Sequence, residues 1–352
     1  MAYTAIDDPS AYFQTTLYTG NAGALTITNG GNSDLQPDLV WLKDRTAANS
    51  HRLVDSSRGV QEAIRSNATS AEGTDTGLVT AFNSDGFSHN STDTAWNGDG
   101  DTYVSWQWKA NGGTRTTNTE SGNDPGGGYQ ANATAGFSIV DYTGTGATGT
   151  MAHGLGAVPD LIIIKNREAT DSWAVYHSAN TAAPETDYLF LDTTVATADD
   201  ATFWNDTAPT SSVFTVTTAH NVNADGETYI AYLWTGIQGY SKFGSYIGNG
   251  GTAGPFVYTG FKPAYVMVKL SSAVGQWAIA DIERGLAPSG EFLFADENGA
   301  TNAAADNHDF LSNGFKPKAH YAAMNTNGAT YIYMALAHQP FVTSGGVPCT
   351  AL

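Results

Sequence analysis

Pro159-Asp160-Leu161-Ile162-Ile163-Ile164-Lys165 reads as a β-strand buried on both faces. Branched aliphatic side chains favour extended backbone. A short apolar run bounded by a proline and a charge fits a strand with covered faces. The pattern returns as Pro37-Asp38-Leu39-Val40-Trp41-Leu42-Lys43 and as Pro263-Ala264-Tyr265-Val266-Met267-Val268-Lys269. A second landmark follows each run: Gly100-Asp101-Thr102-Tyr103-Val104, Gly226-Glu227-Thr228-Tyr229-Ile230 and Gly328-Ala329-Thr330-Tyr331-Ile332. The proline-to-tyrosine separations are 66, 70 and 68 residues, a spacing chance rarely produces.

Finer matches agree. Pro37 to Gly59 aligns with Pro263 to Gly285 at an offset of 226, which pairs Asp55 with Asp281 and Arg58 with Arg284. Trp173 pairs with Trp277 at an offset of 104, and Gly86-Phe87 with Gly314-Phe315 at 228. Each copy opens alike, with Tyr18-Thr19-Gly20, Tyr142-Thr143-Gly144 and Tyr246-Ile247-Gly248. The expected fold is all-β: three tandem related β-sandwich units, jelly-roll-like, at 13–110, 136–236 and 240–340. An N-terminal arm covers 1–12, a Gly-rich linker 111–135, and a C-terminal tail 341–352. Further strands are expected at 173–177, 188–191, 213–216, 228–234, 277–281 and 291–294, and helical turns only near Val60–Arg65 and 198–204.

Composition narrows the function. Charged residues make up 14% of the 352 residues, and the net charge is −19 from 15 basic against 34 acidic groups. A phosphate backbone requires clustered Lys and Arg, so neither nucleic acid nor an anionic lipid surface is an expected partner. The single cysteine, Cys349, excludes a disulfide framework and a cysteine-based metal cluster. The opening residues carry no basic region followed by an apolar stretch. The expectation is synthesis in a cytoplasm, release by assembly or lysis, and no membrane insertion.

Candidate chemistry is sparse. Asn97-Gly98-Asp99-Gly100-Asp101 resembles a calcium loop, with Asp99 and Asp101 as carboxylate ligands. Its counterparts keep Asn and Gly but lose the carboxylates in the third copy, which favours a turn motif. The eight histidines form no His-x-x-x-His or His-x-His pair, and Asp306-Asn307-His308-Asp309 reads as a solvated loop. No Gly-x-Ser-x-Gly elbow and no phosphate loop is present. No enzyme activity and no cofactor is expected. Trp106 and Trp108 alternate on one predicted strand face. They fit either sheet-to-sheet packing or a stacking platform for a glycan. Asp55 with Arg58, and Asp281 with Arg284, fit a turn-closing ion pair or the capture of a ligand carboxylate.

Longer motifs carry a resemblance. Ala5-Ile6-Asp7-Asp8-Pro9-Ser10-Ala11-Tyr12-Phe13-Gln14 resembles the start of a group of marine tailed-phage structural proteins. Leu35 to Arg45, Ser50 to Gly59 and Tyr240 to Gly250 are similar to a module common in phage tail-fibre and virion proteins. The resemblance implies a non-enzymatic virion surface protein, a tail fibre or capsid decoration, that serves assembly and host attachment. It assigns no catalytic residue. The implied partners are other virion proteins through residues 1–14, further copies of the chain in a homo-oligomer, with a trimer favoured, and a host surface glycan. A glycan-binding adhesin and a polysaccharide depolymerase are the alternatives. Fibres of this kind often carry a shaft, and here no heptad run precedes the first copy.

Overall fold

A computed structural model describes residues 3–285, 291–302, 308–318 and 322–349. The chain is all-β, with antiparallel sheets and described helices of only three or four residues. Three larger sheets share one strand order. The first runs Phe13–Thr19, Thr102–Trp108, Leu39–Asp44, Arg52–Asp55. The second contains Phe137–Thr143, Thr228–Trp234, Leu161–Asn166, Ala174–His177 in the same order. The third runs Ser241–Ile247, Thr330–Pro340, Phe261–Leu270, Trp277–Asp281. In each, the opening strand pairs with the strand that closes the segment, and the Pro-to-Lys strand lies beyond it. The register also repeats, with Tyr18 opposite Tyr103, Tyr142 opposite Tyr229 and Tyr246 opposite Tyr331. These ring pairs stack with centroids 5.0, 5.1 and 5.1 Å apart.

Both faces of the Pro-to-Lys strands are covered, for two different reasons. Side chains alternate along a strand. One set packs under a smaller sheet: Ile162 and Ile164 meet Met151, Phe214 and Val216, while Val40 and Leu42 meet Ile27 and Phe87. The other set, including Leu39, Trp41, Leu161, Ile163, Tyr265 and Met267, enters a core shared by all three large sheets. Trp108 sits within it, 6.1 Å from the Trp234 ring and 6.0 Å from the Tyr265 ring. Unbroken apolar runs therefore reflect a two-layer sandwich whose back also faces its neighbours.

The lysine that ends each run is buried as well. Lys43 Nζ donates to Asp44 O at 2.6 Å, Lys165 Nζ to Asn166 O at 2.6 Å, and Lys269 Nζ to Gly275 O. Each ammonium staples the turn that follows its strand. Burial lowers all three pKa values to about 8.

Three expectations need correction. The Gly-rich linker expected at 111–135 is in part regular sheet. Thr116–Asn118 and Gly126–Asn132 form two strands that extend the second sheet along its opening edge. Glycine permits this close approach: a Cβ on Gly127 would lie 2.0 Å from Asp141 O. The Val60–Arg65 stretch holds the two-residue strand Glu62–Ala63 and no helix, whereas Ala201–Trp204 is the expected single turn. Gln61 has a φ of +67°, which interrupts helical backbone there. The reading of 306–309 as a solvated loop also changes. His308 is buried in the strand His308–Leu311 between the rings of Phe292 and Phe310, while Asp306, Asn307 and His320 lie outside the described residues. Residues of the N-terminal arm pack on the third sheet's segment, where Tyr3 OH donates to Gly260 O at 2.6 Å and Ile6 is buried.

Candidate functional site

The calcium reading gives way to a turn built on asparagine. Asp99 is exposed and Asp101 half-buried, and the described residues bring no third ligand to them. Asn97 does the bracing: its Oδ1 accepts from Asn21 N at 3.0 Å, and its Nδ2 donates to Gly23 O and Ser91 O at 2.7 and 2.6 Å. Asn223 repeats this with Thr145 N and Ala147 O, and Asn325 with Asn249 N and Gly251 O. The tyrosine of the closing strand completes each turn. Tyr103 OH donates to Thr94 O, Tyr229 OH to His220 O, and Tyr331 OH to Ala322 O.

Trp106 and Trp108 cannot stack on a glycan, because both are buried in the shared core. Their alternation reflects the strand's inward face. Trp106 also ties two sheets together, since its Nε1 donates to Asp281 Oδ2 of the third sheet at 2.9 Å.

That bond belongs to a set running around the molecule. Residues 55, 177 and 281 hold one position, related by offsets of 122 and 104. Asp55 Oδ2 accepts from Tyr232 OH at 2.7 Å, joining the first sheet to the second. His177 Nε2 reaches Tyr333 O at 3.0 Å, joining the second to the third. Asp281 joins the third to the first. The donor position on the closing strand is Tyr232, Trp106 or Met334, and methionine has no proton to give. The histidine accordingly donates to the neighbouring carbonyl instead.

A second set closes in the same sense. Trp173 Nε1 donates to Arg65 O at 2.9 Å and Trp277 Nε1 to Phe190 O at 2.8 Å. His51, which stands 226 residues before Trp277, places its Nε2 2.9 Å from Phe294 O. Trp41 Nε1 donates to His51 Nδ1 at 2.8 Å, which leaves Nε2 as the protonated nitrogen. A head-to-tail contact thus closes after three steps.

The two arginines are spent inside this arrangement rather than offered to a ligand. Arg58 Nε bonds Asp55 Oδ2 at 2.5 Å and Arg284 Nε bonds Asp281 Oδ2 at 2.6 Å, with all four side chains buried. Burial opposes the Arg58 charge, yet Asp55, Tyr232 and Glu72 beside it hold its pKa above the usual guanidinium value. The second sheet replaces the ion pair with neutral His177 and Asn180. Burial lowers the His177 pKa to about 4 and pushes that of His51 well below its ordinary value.

Two features escape sequence reading. Asp171, His220 and Glu227 present ligand-type atoms within 4.8 Å of one another. Asn166 Nδ2 already donates to both carboxylates, at 2.8 Å to Asp171. The first sheet has the complementary exchange, Asn49 Nδ2 to Asp44 Oδ2 at 2.7 Å, so the cluster is a turn brace. The second feature is a groove of about 460 Å³ between the opening strand of the first sheet and the third sheet. Thr15 and Leu17 line one side, and Ala264, Ile282 and Glu283 the other. It is formed by residues more than 230 positions apart, so no local motif announces it.

Residues 8–340 match a family described as Domain of unknown function (DUF7483). No curated protein matches the chain, and no solved structure does.

Proposed function

The chain belongs to the DUF7483 family, and from its repeated sheets and its sequence motifs we propose that it is a non-enzymatic surface protein of a tailed-phage virion, a tail fibre or capsid decoration, built from three copies of one β-sandwich. The observation that carries this reading is the pair of buried contact sets that close through all three large sheets. They take up Asp55, His177, Asp281, Trp106, Trp173, Trp277, Tyr232 and His51 in holding the sheets together. A body locked in this way is suited to bearing load on a particle. The likeness of residues 5–14, 35–45, 50–59 and 240–250 to phage structural modules supports the location. Residues 1–14 and a homo-oligomer, a trimer first, remain the proposed route to neighbouring virion proteins. Immunogold labelling of purified particles tests the proposal: gold on intact virions supports it, and antigen confined to the particle-free lysate overturns it.

A glycan-binding role is favoured by a different pair of aromatics. Phe256 and Tyr258 are each 48% exposed, with ring centroids 6.5 Å apart. Lys242 Nζ lies 5.1 Å from the Tyr258 ring centroid. Exposed aromatic faces beside a cation suit a sugar ring. A glycan array with wild type and a Tyr258→Ala variant separates attachment from pure architecture.

A further inference from the structure

We propose that the groove beside Phe13–Thr19 takes an extended polypeptide segment, rich in small residues and carrying one lysine or arginine, which adds as an antiparallel strand to the first sheet. The inference rests on geometry alone and does not depend on where the protein works.

The opening strand is an edge. Gly20 N donates to Asp101 O and Lys109 N donates to Tyr12 O, so even-numbered residues face the closing strand. The backbone N–H and C=O of Thr15 and Leu17 therefore point outward, into the groove. Thr15 Oγ1 is buried there without a hydrogen-bond partner.

The second sheet has the same edge, and there the chain fills it itself. Gly126–Asn132 pairs antiparallel with Phe137–Thr143, placing Gln130 opposite Ile139. Ile139 lies two residues after Phe137, as Thr15 lies two after Phe13. Gln130 Nε2 then reaches the turn of the neighbouring sheet, donating to Ser56 Oγ at 2.8 Å and Ser57 Oγ at 2.7 Å. At the offset of 226, Ser56 and Ser57 become Ile282 and Glu283, and Asp38 becomes Ala264. Those three residues line the groove. The groove is thus the seam occupied by Gly126–Asn132 elsewhere in the molecule, with its strand missing.

The filled seam specifies the occupant. A small residue is required where the strand passes Gly127, since a Cβ there would lie 2.0 Å from Asp141 O of the edge strand. On the wall facing the edge strand two charges differ between the seams: the Asp38 carboxylate gives way to Ala264, and Glu283 stands in place of Ser57. Glu283 is exposed at the groove's rim. A cationic side chain at the Gln130 position meets it. Five residues of extended chain span about 17 Å at roughly 3.4 Å each. Main-chain bonding to an exposed edge, with one side chain setting preference, is a known mode of peptide capture.

Fluorescence anisotropy with the full-length chain tests this. The probes are labelled peptides copying residues 124–134, one as it stands and one with Gln130→Lys. The expected result is saturable binding, at least fivefold tighter for the lysine peptide, with Glu283→Gln abolishing that preference. Thr15→Pro removes an outward N–H at an edge position that tolerates proline. It should weaken binding at least tenfold while the unfolding midpoint stays in place. Ala264→Trp blocks the groove from the opposite wall and serves if the proline variant does not fold. No saturable binding up to about 1 mM overturns the proposal. So does equal binding by the blocked variant. Absence of the protein from virions leaves both outcomes readable.

Discussion

Trp106 and Asp281 meet across the boundary between the first and third sheets, with the indole Nε1 2.9 Å from the carboxylate. The same carboxylate oxygen holds Arg284 at 2.6 Å. Asp281→Ala leaves a buried guanidinium without its counter-charge and should cost about 3–5 kcal/mol of stability. Trp106→Phe keeps much of the ring but deletes the donor, and should cost about 1–3 kcal/mol. Urea unfolding at neutral pH measures both, and a near-zero change for Asp281→Ala would show that the pair is not structural.

Acid should loosen the same boundaries. His177 and His308 keep their protons off until about pH 4, and His51 titrates well below its ordinary value. The unfolded imidazole takes its proton near 6.5, so between pH 6.5 and 4 the unfolded chain binds more protons. Stability therefore falls as pH falls through that window, by on the order of 2–3 kcal/mol for each of His177 and His308, and His51 works in the same direction. Asp296, pushed up to about 6 by burial, works in the opposite sense. Comparison with His177→Gln isolates the histidine. The variant should show a shallower acid slope, and an unchanged slope contradicts the assignment.

Mild alkali should tighten the fold. Lys43, Lys165 and Lys269 have folded pKa values of about 8, whereas the unfolded ammonium persists to about 10.4. Between these values the unfolded state again holds more protons, so each lysine adds stability as pH rises from 8 towards 10. Thermal unfolding of wild type against Lys165→Met reads this as a gain in stability of wild type relative to the variant as pH rises from 8 towards 10. The contribution by pH 9.5 is on the order of 1–2 kcal/mol.

The Asn97 turn should prove indifferent to metal. Asn97→Ala removes three hydrogen bonds to backbone and should cost about 1–3 kcal/mol. Addition of calcium, or of a chelator, should leave the unfolding midpoint unchanged, in wild type and in Asp101→Asn alike. A rise in midpoint with calcium that Asp101→Asn abolishes would restore the metal reading.

Much of the fold is legible because the chain states its strand pattern three times. The Pro-to-Lys runs and the closing tyrosines carry local signals, period and turn chemistry, that survive without tertiary context. The strands within 111–135 are missed because Gly126-Gly127-Gly128 carries no side-chain period, whereas here Gly127 answers a close approach to Asp141 O. Alternation places Trp106 and Trp108 on one face, but sequence does not say what that face meets. The closing contacts are visible only in part. The repeat pairs Asp55 with Asp281. That His177 occupies the same position becomes meaningful only once its partner is seen to lack a donor. The groove is illegible because it exists by the absence of a strand that another edge possesses.

Hydrogen exchange resolved by mass spectrometry tests most directly whether the three large sheets stand or fall together. The peptides to follow are those covering Thr102–Trp108, Thr228–Trp234 and Thr330–Pro340, one central strand from each sheet. Interlocking through the shared core predicts one opening free energy for all three, equal within about 1 kcal/mol, lowered in parallel by Asp281→Ala. Three well-separated values, with Asp281→Ala affecting only the third strand, would contradict it.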